Sequence, residues 1–333
     1  MEFSENNINI FKSWISALSI PFNKNYKSLI PFHTQIYEYI DKKYTNENSK
    51  RVHLSSLAKL FKIYNGENSS LYKKYSKLAI KLQKQIELKN LSQEVNENRK
   101  DNYLTFNNIL NKREEYKKLF LEHPEDHKIN QQYLILCLYT MQPPIRQEYK
   151  DMKFVSSVPH DKTKNYILKK FDKYFVIINK DKISKNYTNK DLFELSSELC
   201  STIDESLKYY PRKYILSLNT NGEKQIGKQG FEAILKSIFD GKRIGVDMIR
   251  SAYITHVYDN KNITMREKTE IASKMRSSIA MANTNYHKIV EHTEEDIINE
   301  FINNIKIHDK DQLKRMIIDI ISEIRSNENM KPV

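Results

Sequence analysis

Apolar residues recur along this chain mostly at three- and four-residue steps, the period of a helix with one buried face, and alternate in only a few short stretches. The segment LAKLFKIYNGENSSLYKKYSKLAIKLQKQIELKNL, residues 57–91, predicts a shorter helix, a turn at Asn65-Gly66-Glu67, and a long helix capped by Ser69 or Ser70. The run SQEVNENRKDN, 92–102, is polar and lacks apolar periodicity, so it fits a solvated helix or a linker. Helical patterns resume in YLTFNNILNKREEYKKLFLEH, 103–123, which either closes a first domain or opens a second, and in INQQYLILCLYTM, 129–141.

The stretch KYFVIINKDK, 173–182, alternates weakly, is rich in Val, Ile, Tyr and Phe, and ends in a polar turn, the pattern of a strand in a small antiparallel sheet. A helix is expected over 191–210, a short strand at KYILSL (213–218), and helices at 228–240, 246–258, 264–275 and 278–285. A tail helix over 311–325 places Leu313, Met316, Ile317, Ile320, Ile321 and Ile324 on one face. That face packs on its own domain or docks on a neighbouring copy. The resulting expectation is a mainly α protein with a small antiparallel β-sheet, in two domains: 1–122, helical, and 123–333, helical with the sheet.

Composition narrows the picture. With 333 residues the chain is long enough for two cores, and 39% hydrophobic with 29% charged residues is the balance of a folded, soluble protein. Only 6 glycines and 8 prolines interrupt it, which suits long helices. Its 55 basic against 42 acidic residues leave a formal charge of +13, a field that attracts polyanions. Two cysteines, Cys137 and Cys200, fit free thiols in a reducing compartment, and the histidines form no metal-binding pattern. Neither a signal segment nor an apolar run of membrane-spanning length is present, so an intracellular, soluble protein without a membrane partner is expected.

Three stretches carry candidate chemistry. In TMQPPIRQEY, 140–149, two prolines stop the preceding helix and set Arg146 near the start of the next segment, where it meets a phosphate or pairs with Glu148 or Glu115. In VDMIRSAYITHVY, 246–258, Arg250 adjoins the stripe Val246, Ile249, Tyr253, Val257 and is followed by the small residues Ser251 and Ala252, so it is able to face a cleft. In IAMANTNYHKI, 279–289, Tyr286 follows small and polar residues that allow a close approach.

Taken in order, YTMQPPIRQEYKDM, MIRSAYITH and KMRSSIAMANTNY resemble the arginine and nucleophile motifs of the tyrosine recombinase (phage integrase-like) family, in the divergent versions carried by large DNA viruses and their mobile elements. The resemblance covers roughly 125–292. It implies a recombinase catalytic domain preceded by a helical, DNA-clamping core-binding-like domain. It also implies that Arg146 and Arg250 hold the non-bridging oxygens of a scissile phosphate while Tyr286 attacks phosphorus, with neither metal nor ATP. A phenol with a pKa near 10 becomes a nucleophile only once its proton is drawn away, and the phosphotyrosyl ester then stores the bond for rejoining. The general acid falls on the lysine-rich hairpin YFVIINKDKISKNYT, on Lys182 or Lys185, with Lys180 also open.

The family's two histidine positions are occupied here by Asp247 and Ser277. Aspartate donates no proton at neutral pH unless its pKa is raised, and serine donates a hydrogen bond but shuttles protons poorly. Arg276 is placed to compensate, and His287 to support the tyrosine from alongside. His256 stands about 9 Å from Arg250 by helical rise and is not assigned.

The expected partners are double-stranded DNA and further copies of the chain, assembled as a tetramer on DNA. A viral version would work in the host cytoplasm or nucleus, or be packaged in the virion. The alternatives are a relaxing type IB-like topoisomerase, a degenerate non-catalytic DNA-binding protein, and a helical scaffold.

Overall fold

In the computed structural model the described residues are 2–93, 102–180, 191–260, 262–288 and Ile318. The chain divides into two compact units, Met1–Ser92 and Gln93–Val333. The segment 103–123 belongs to the second of them, where its helix packs on the one that follows.

The first unit is helical. Helix α1 (Glu5–Leu18) begins at Ser4, whose side chain accepts from the Asn7 amide. Helix α2 spans His33–Lys43, and α3 (Glu47–Asn65) pairs with α4 (Ser70–Leu91) as the principal hairpin. Between the last two, Gly66 ends α3 at φ +80°, a conformation that costs a residue without Cβ little, and Ser69 caps α4. Phe11, Trp14, Leu29, Ile36, Leu57, Leu60, Phe61 and Tyr75 fill the core. Its polar members are paired: Trp14 Nε1 donates to His53 Nδ1 at 3.1 Å, Asn7 Nδ2 donates to Ser56 Oγ at 3.0 Å, and His33 Nδ1 meets the Tyr75 hydroxyl at 2.8 Å.

The second unit is built around α6 (His127–Thr140), whose residues from Asn130 to Thr140 are all buried. Helix α5 (Phe106–Glu122) packs along it. The four polar residues that α6 takes inside are each satisfied: Asn130 donates to the Ser206 carbonyl, Gln131 accepts from the Ser217 amide, Gln132 donates to Ser237 Oγ, and Thr140 donates to the Leu136 carbonyl. Around this rod stand α7 (Ser197–Tyr209), α8 (Gly227–Ile238) and α9 (Val246–Tyr258), while α10 (Met265–Lys274) joins a second cluster with Ile254 and Tyr258 of α9. The chain then makes one helical turn at Ile279–Met281 and a π-helical turn at Ala282–Tyr286.

The sheet has the order β1 (Lys153–Val155), β2 (Tyr166–Lys170), β3 (Lys173–Ile178), β4 (Asp191–Glu194). It is mixed, which corrects the expectation of an antiparallel sheet: β1 runs parallel to β2, whereas β2–β3 and β3–β4 are antiparallel. Antiparallel hairpins follow from local turns, but the parallel pair requires residues 156–165 to return the chain to the same edge, which no local periodicity announces.

Two further expectations change. Residues 191–194 are strand rather than the first turn of a helix, because Phe193 pairs with Val176 and Leu192 with Ile177, and the helix begins at Ser197. KYILSL is not a strand. It makes only the isolated bridges Lys153–Tyr214 and Ser217–Gln225, since the three-residue β1 beside it is too short to continue a ladder.

Candidate active site

Helix α6 stops at Thr140, and Pro143 and Pro144 carry the chain to Arg146, which stands at the head of a short 3-10 turn, Gln147–Asp151. The preceding Ile145 is fully buried, and the Tyr139 hydroxyl donates to the Arg146 carbonyl at 2.6 Å. This pins the backbone while the half-buried side chain reaches outward. Its Nη1 donates to the Arg276 carbonyl at 2.8 Å, and of the two acids expected as surface partners, Glu148 and Glu115, the second pairs with Lys112.

Arg250 lies on α9, which is buried over more of its surface than the four-residue stripe predicted, taking in Met248, Ser251, Ala252, Ile254, Thr255 and Tyr258. Arg250 itself is fully buried. Its Nη1 donates to the Pro144 and Met275 carbonyls, each at 2.9 Å, while Nε and Nη2 are buried with no hydrogen-bond partner among the described residues. A guanidinium has five N–H donors and is charged at any ordinary pH, so burying part of it unpaired is costly.

Adjacent carbonyls hold the two arginines, and the reason is the way α10 ends. The Ser277 amide donates to the Ala272 carbonyl and the Arg276 amide to the Ser273 carbonyl, with Arg276 at φ +57°. This is the six-to-one and five-to-two closure usually built on glycine. An arginine occupies the left-handed position, at a cost of about 1–2 kcal/mol, and the turn presents the Met275 carbonyl to Arg250 and the Arg276 carbonyl to Arg146. Ser277 follows with its Oγ buried and without a hydrogen-bond partner among the described residues.

Tyr286 closes the group. Its ring lies over the Arg250 guanidinium, 4.7 Å from carbon to ring centroid, within the range of cation–π attraction. It is 8% exposed, and together with Arg146 it lines an open cleft of about 1030 Å³. Arg250 does not line that cleft but stands behind the tyrosine ring. Cations crowd the cleft wall: Lys150, Lys164, Lys180, Lys228 and Arg243 join Arg146, against Glu148, Asp151, Glu232 and Asp247.

Of the auxiliary positions, Asp247 is exposed in the first turn of α9 and faces the cleft. Arg276 and Ser277 form the turn just described. His287, next to the tyrosine, is half-buried: its Nε2 meets Asp259 Oδ1 at 2.8 Å and its Nδ1 meets the Gln93 side-chain amide at 3.2 Å. His256 lies against Phe106, ring centroids 5.1 Å apart, and does not line the cleft. The hairpin expected to carry the general acid follows β3; β3 and β4 pair antiparallel, and residues 181–190 between them lie outside the described residues. Lys180 lines the cleft from the hairpin's base, whereas Lys182 and Lys185 lie outside the described residues, as does the tail helix expected over 311–325.

Sequence reading overlooked Lys150, Lys164, Lys228 and Arg243. Among 55 basic residues nothing in their local pattern sets them apart; only the fold gathers them. Among the described residues no group of three or more His, Cys, Asp or Glu is placed to hold a metal ion, and no helix is long and apolar enough to cross a membrane.

No family model matches the chain, and no curated protein does. Among solved structures it is similar to one described as the crystal structure of XerA recombinase, at 13% identity and a TM-score of 0.36, over 91% of this chain and 100% of that one. A likeness at that score carries no argument, so the site rests on its own geometry and on the motifs in the sequence.

Proposed function

We propose that the cleft receives the backbone of double-stranded DNA, and that the protein cuts and rejoins DNA strands through a covalent bond to Tyr286. The observation that carries this reading is the meeting of Arg250, Arg146 and Tyr286. One turn holds both guanidiniums, one of them has N–H groups left open, and a phenol is stacked on it at the edge of a cationic cleft. The three motifs that supply these residues occur in the order the recombinase resemblance implies.

In the chemistry that follows, the phosphate enters beside Arg146 and the tyrosine ring swings aside, uncovering Nε and Nη2 of Arg250 for a non-bridging oxygen. Tyr286 Oη bonds to phosphorus as its proton leaves to solvent, and the bond from phosphorus to the 5′-oxygen breaks. That oxygen takes a proton from an ammonium group and departs as a hydroxyl, leaving a 3′-phosphotyrosyl ester. Return attack by a 5′-hydroxyl reverses every step, so strands rejoin without ATP. Two fixed guanidiniums stabilise the charge on the crowded phosphorus, a contribution of the size that costs about a hundredfold or more when one donor is lost. The donor to the 5′-oxygen is one of Lys180, Lys182 and Lys185, and Arg276 adds to the field.

In this reading the helical first unit clamps the duplex, and several copies assemble on DNA as a recombinase or integrase. A second reading, DNA binding without cleavage, has its own observation: Asp247 faces the cleft where the family resemblance calls for a proton-donating histidine, and Ser277 stands at the other such position.

A pool of nicked duplexes of varied sequence, from which the cleaved fragment diffuses away, separates the two. The reading expects a covalent protein–DNA band that vanishes in Tyr286→Phe and weakens strongly in Arg146→Ala. No band from the native protein on any duplex, with DNA still bound, leaves the binding-only reading standing.

A further inference from the structure

Helix α9 carries Arg250, but the residue beside it begins a second row. Ser251, Thr255 and Asp259 follow one another at four-residue steps and therefore share one face. Each holds part of the segment that bears the tyrosine. Ser251 Oγ donates to the Tyr286 carbonyl at 2.6 Å, and Thr255 Oγ1 donates to the same oxygen at 3.4 Å. Thr255 Oγ1 also accepts from the Lys288 amide at 2.9 Å. Asp259 Oδ1 takes the Nε2 of His287 at 2.8 Å.

From these contacts we infer that Ser251, Thr255 and Asp259 form a positioning rail, which fixes the backbone of residues 286–288 on the same helix that carries Arg250. The inference rests on the reading of Tyr286 as nucleophile.

The rail acts by leverage. A π-helical turn ends at Tyr286 and the chain leaves it extended at His287, so local helical hydrogen bonding stops where the tyrosine must be placed. The rail supplies the missing restraints. Both hydroxyls and the carbonyl are buried or nearly so, where hydrogen bonds are least diluted by water. Because the rail holds only backbone atoms and the neighbouring imidazole, it adds no restraint of its own to the Tyr286 ring, which is kept in place by its packing and by Arg250. In the proposed reaction the ring leaves Arg250 and returns while its Cα stays in register with the guanidinium. One rigid helix then sets the distance between nucleophile and phosphate-holding arginine within a single chain. A loss of about 1 Å in such a placement is enough to cost a hundredfold in rate. Ser251, Thr255 and Asp259 touch neither phosphate nor the Tyr286 phenol oxygen in this account, so they are positioning residues.

The test places 3-fluorotyrosine at position 286 of the full chain and compares the native protein with Ser251→Ala, Thr255→Val and Thr255→Ser. The measurements are the fluorine resonance, the rate of covalent adduct on the nicked-duplex pool, and DNA affinity. The rail predicts that Ser251→Ala and Thr255→Val each move or broaden the resonance and slow adduct formation at least tenfold, with DNA affinity within twofold. Thr255→Ser, which keeps the hydroxyl, stays close to native in all three.

An unmoved resonance in both Ser251→Ala and Thr255→Val overturns the rail, whatever the adduct does. A resonance that moves while even the native chain forms no adduct upholds the rail and refutes the nucleophile. Circular dichroism of each variant separates loss of placement from loss of fold, and the conservative Thr255→Ser keeps the comparison open if Thr255→Val unfolds.

Discussion

Two arginines of the second unit lie over tyrosine rings, Arg212 half-buried and Arg250 fully buried, and they are held in opposite ways. Arg212 donates from Nε to the Ile215 carbonyl at 2.9 Å, from Nη1 to the Tyr210 carbonyl at 2.8 Å and from Nη2 to Ser206 Oγ at 2.9 Å, and it lies over the Tyr210 ring at 5.0 Å. Arg250 also lies over a tyrosine, but among the described residues it bonds through Nη1 alone and leaves Nε and Nη2 open. Burial lowers the Arg212 guanidinium to about 10, still charged at neutral pH. Both sites therefore bear the cost of taking a cation out of water, and only one recovers it fully within the fold. An arginine whose nitrogens are all engaged serves as a brace, whereas in the proposed function one left half-engaged beside a cleft keeps donors in reserve for an anion.

The largest expected effect falls on the tyrosine over the half-engaged arginine. Tyr286→Phe removes one oxygen and should abolish covalent adduct altogether, with DNA affinity within about twofold of native in a filter-binding titration. Next, Arg250→Lys keeps the charge but loses the planar fork, and should lower the adduct rate about a hundredfold or more. Arg212→Lys sharpens the contrast: it should cost about 2 kcal/mol of stability in urea unfolding through its lost hydrogen bonds, while the adduct rate per folded molecule is unchanged. If the two lysine variants behave alike, the distinction between brace and reserve fails. Smaller still is Arg276→Gly, which relieves the left-handed strain by about 1 kcal/mol and keeps both presenting carbonyls. A tenfold fall in adduct rate with a melting temperature no lower than native assigns its guanidinium to the phosphate.

The smallest effect concerns the first unit, whose histidines, His53 buried and His33 half-buried, resemble Arg212 in being satisfied. Burial holds His53 and His33 below the ordinary 6.5, with Lys43 and Lys74 respectively adding to the shift. For a base lowered in the folded state, the unfolded chain takes up protons first. The stability contribution is therefore complete above about pH 6.5 and is lost as pH falls through the folded pKa values. Protonating His53 Nδ1 also breaks its bond from Trp14. Thermal melts of residues 1–92 between pH 7 and 5 should fall by a few degrees, and His53→Phe should flatten that dependence.

What could be read from the sequence followed from how local each feature is. The hairpin of α3 and α4, with its turn at Gly66 and cap at Ser69, is written in neighbouring residues, and the prolines before Arg146 end α6 as expected. The β1–β2 pairing is not local, and Asp191–Glu194 has a pattern that suits either state until β3 claims it as a strand. At the site, the motifs of Arg146, Arg250 and Tyr286 are visible as strings. The left-handed Arg276 turn that ties the arginines together is not, because glycine is the usual signal there and is absent. Ser251 and Thr255 look like ordinary helix residues until residues 286–288 are laid beside them.

The central claim is that two guanidiniums and one phenol meet around a single DNA phosphorus, and the most direct measurement is to find the bond that phenol makes. Adduct trapped on nicked duplex, digested with nuclease and protease and read by tandem mass spectrometry, should carry its nucleotide phosphate on Tyr286 and on no other tyrosine. A nucleotide on any other residue, or none on a protein that binds the same duplex, contradicts the account.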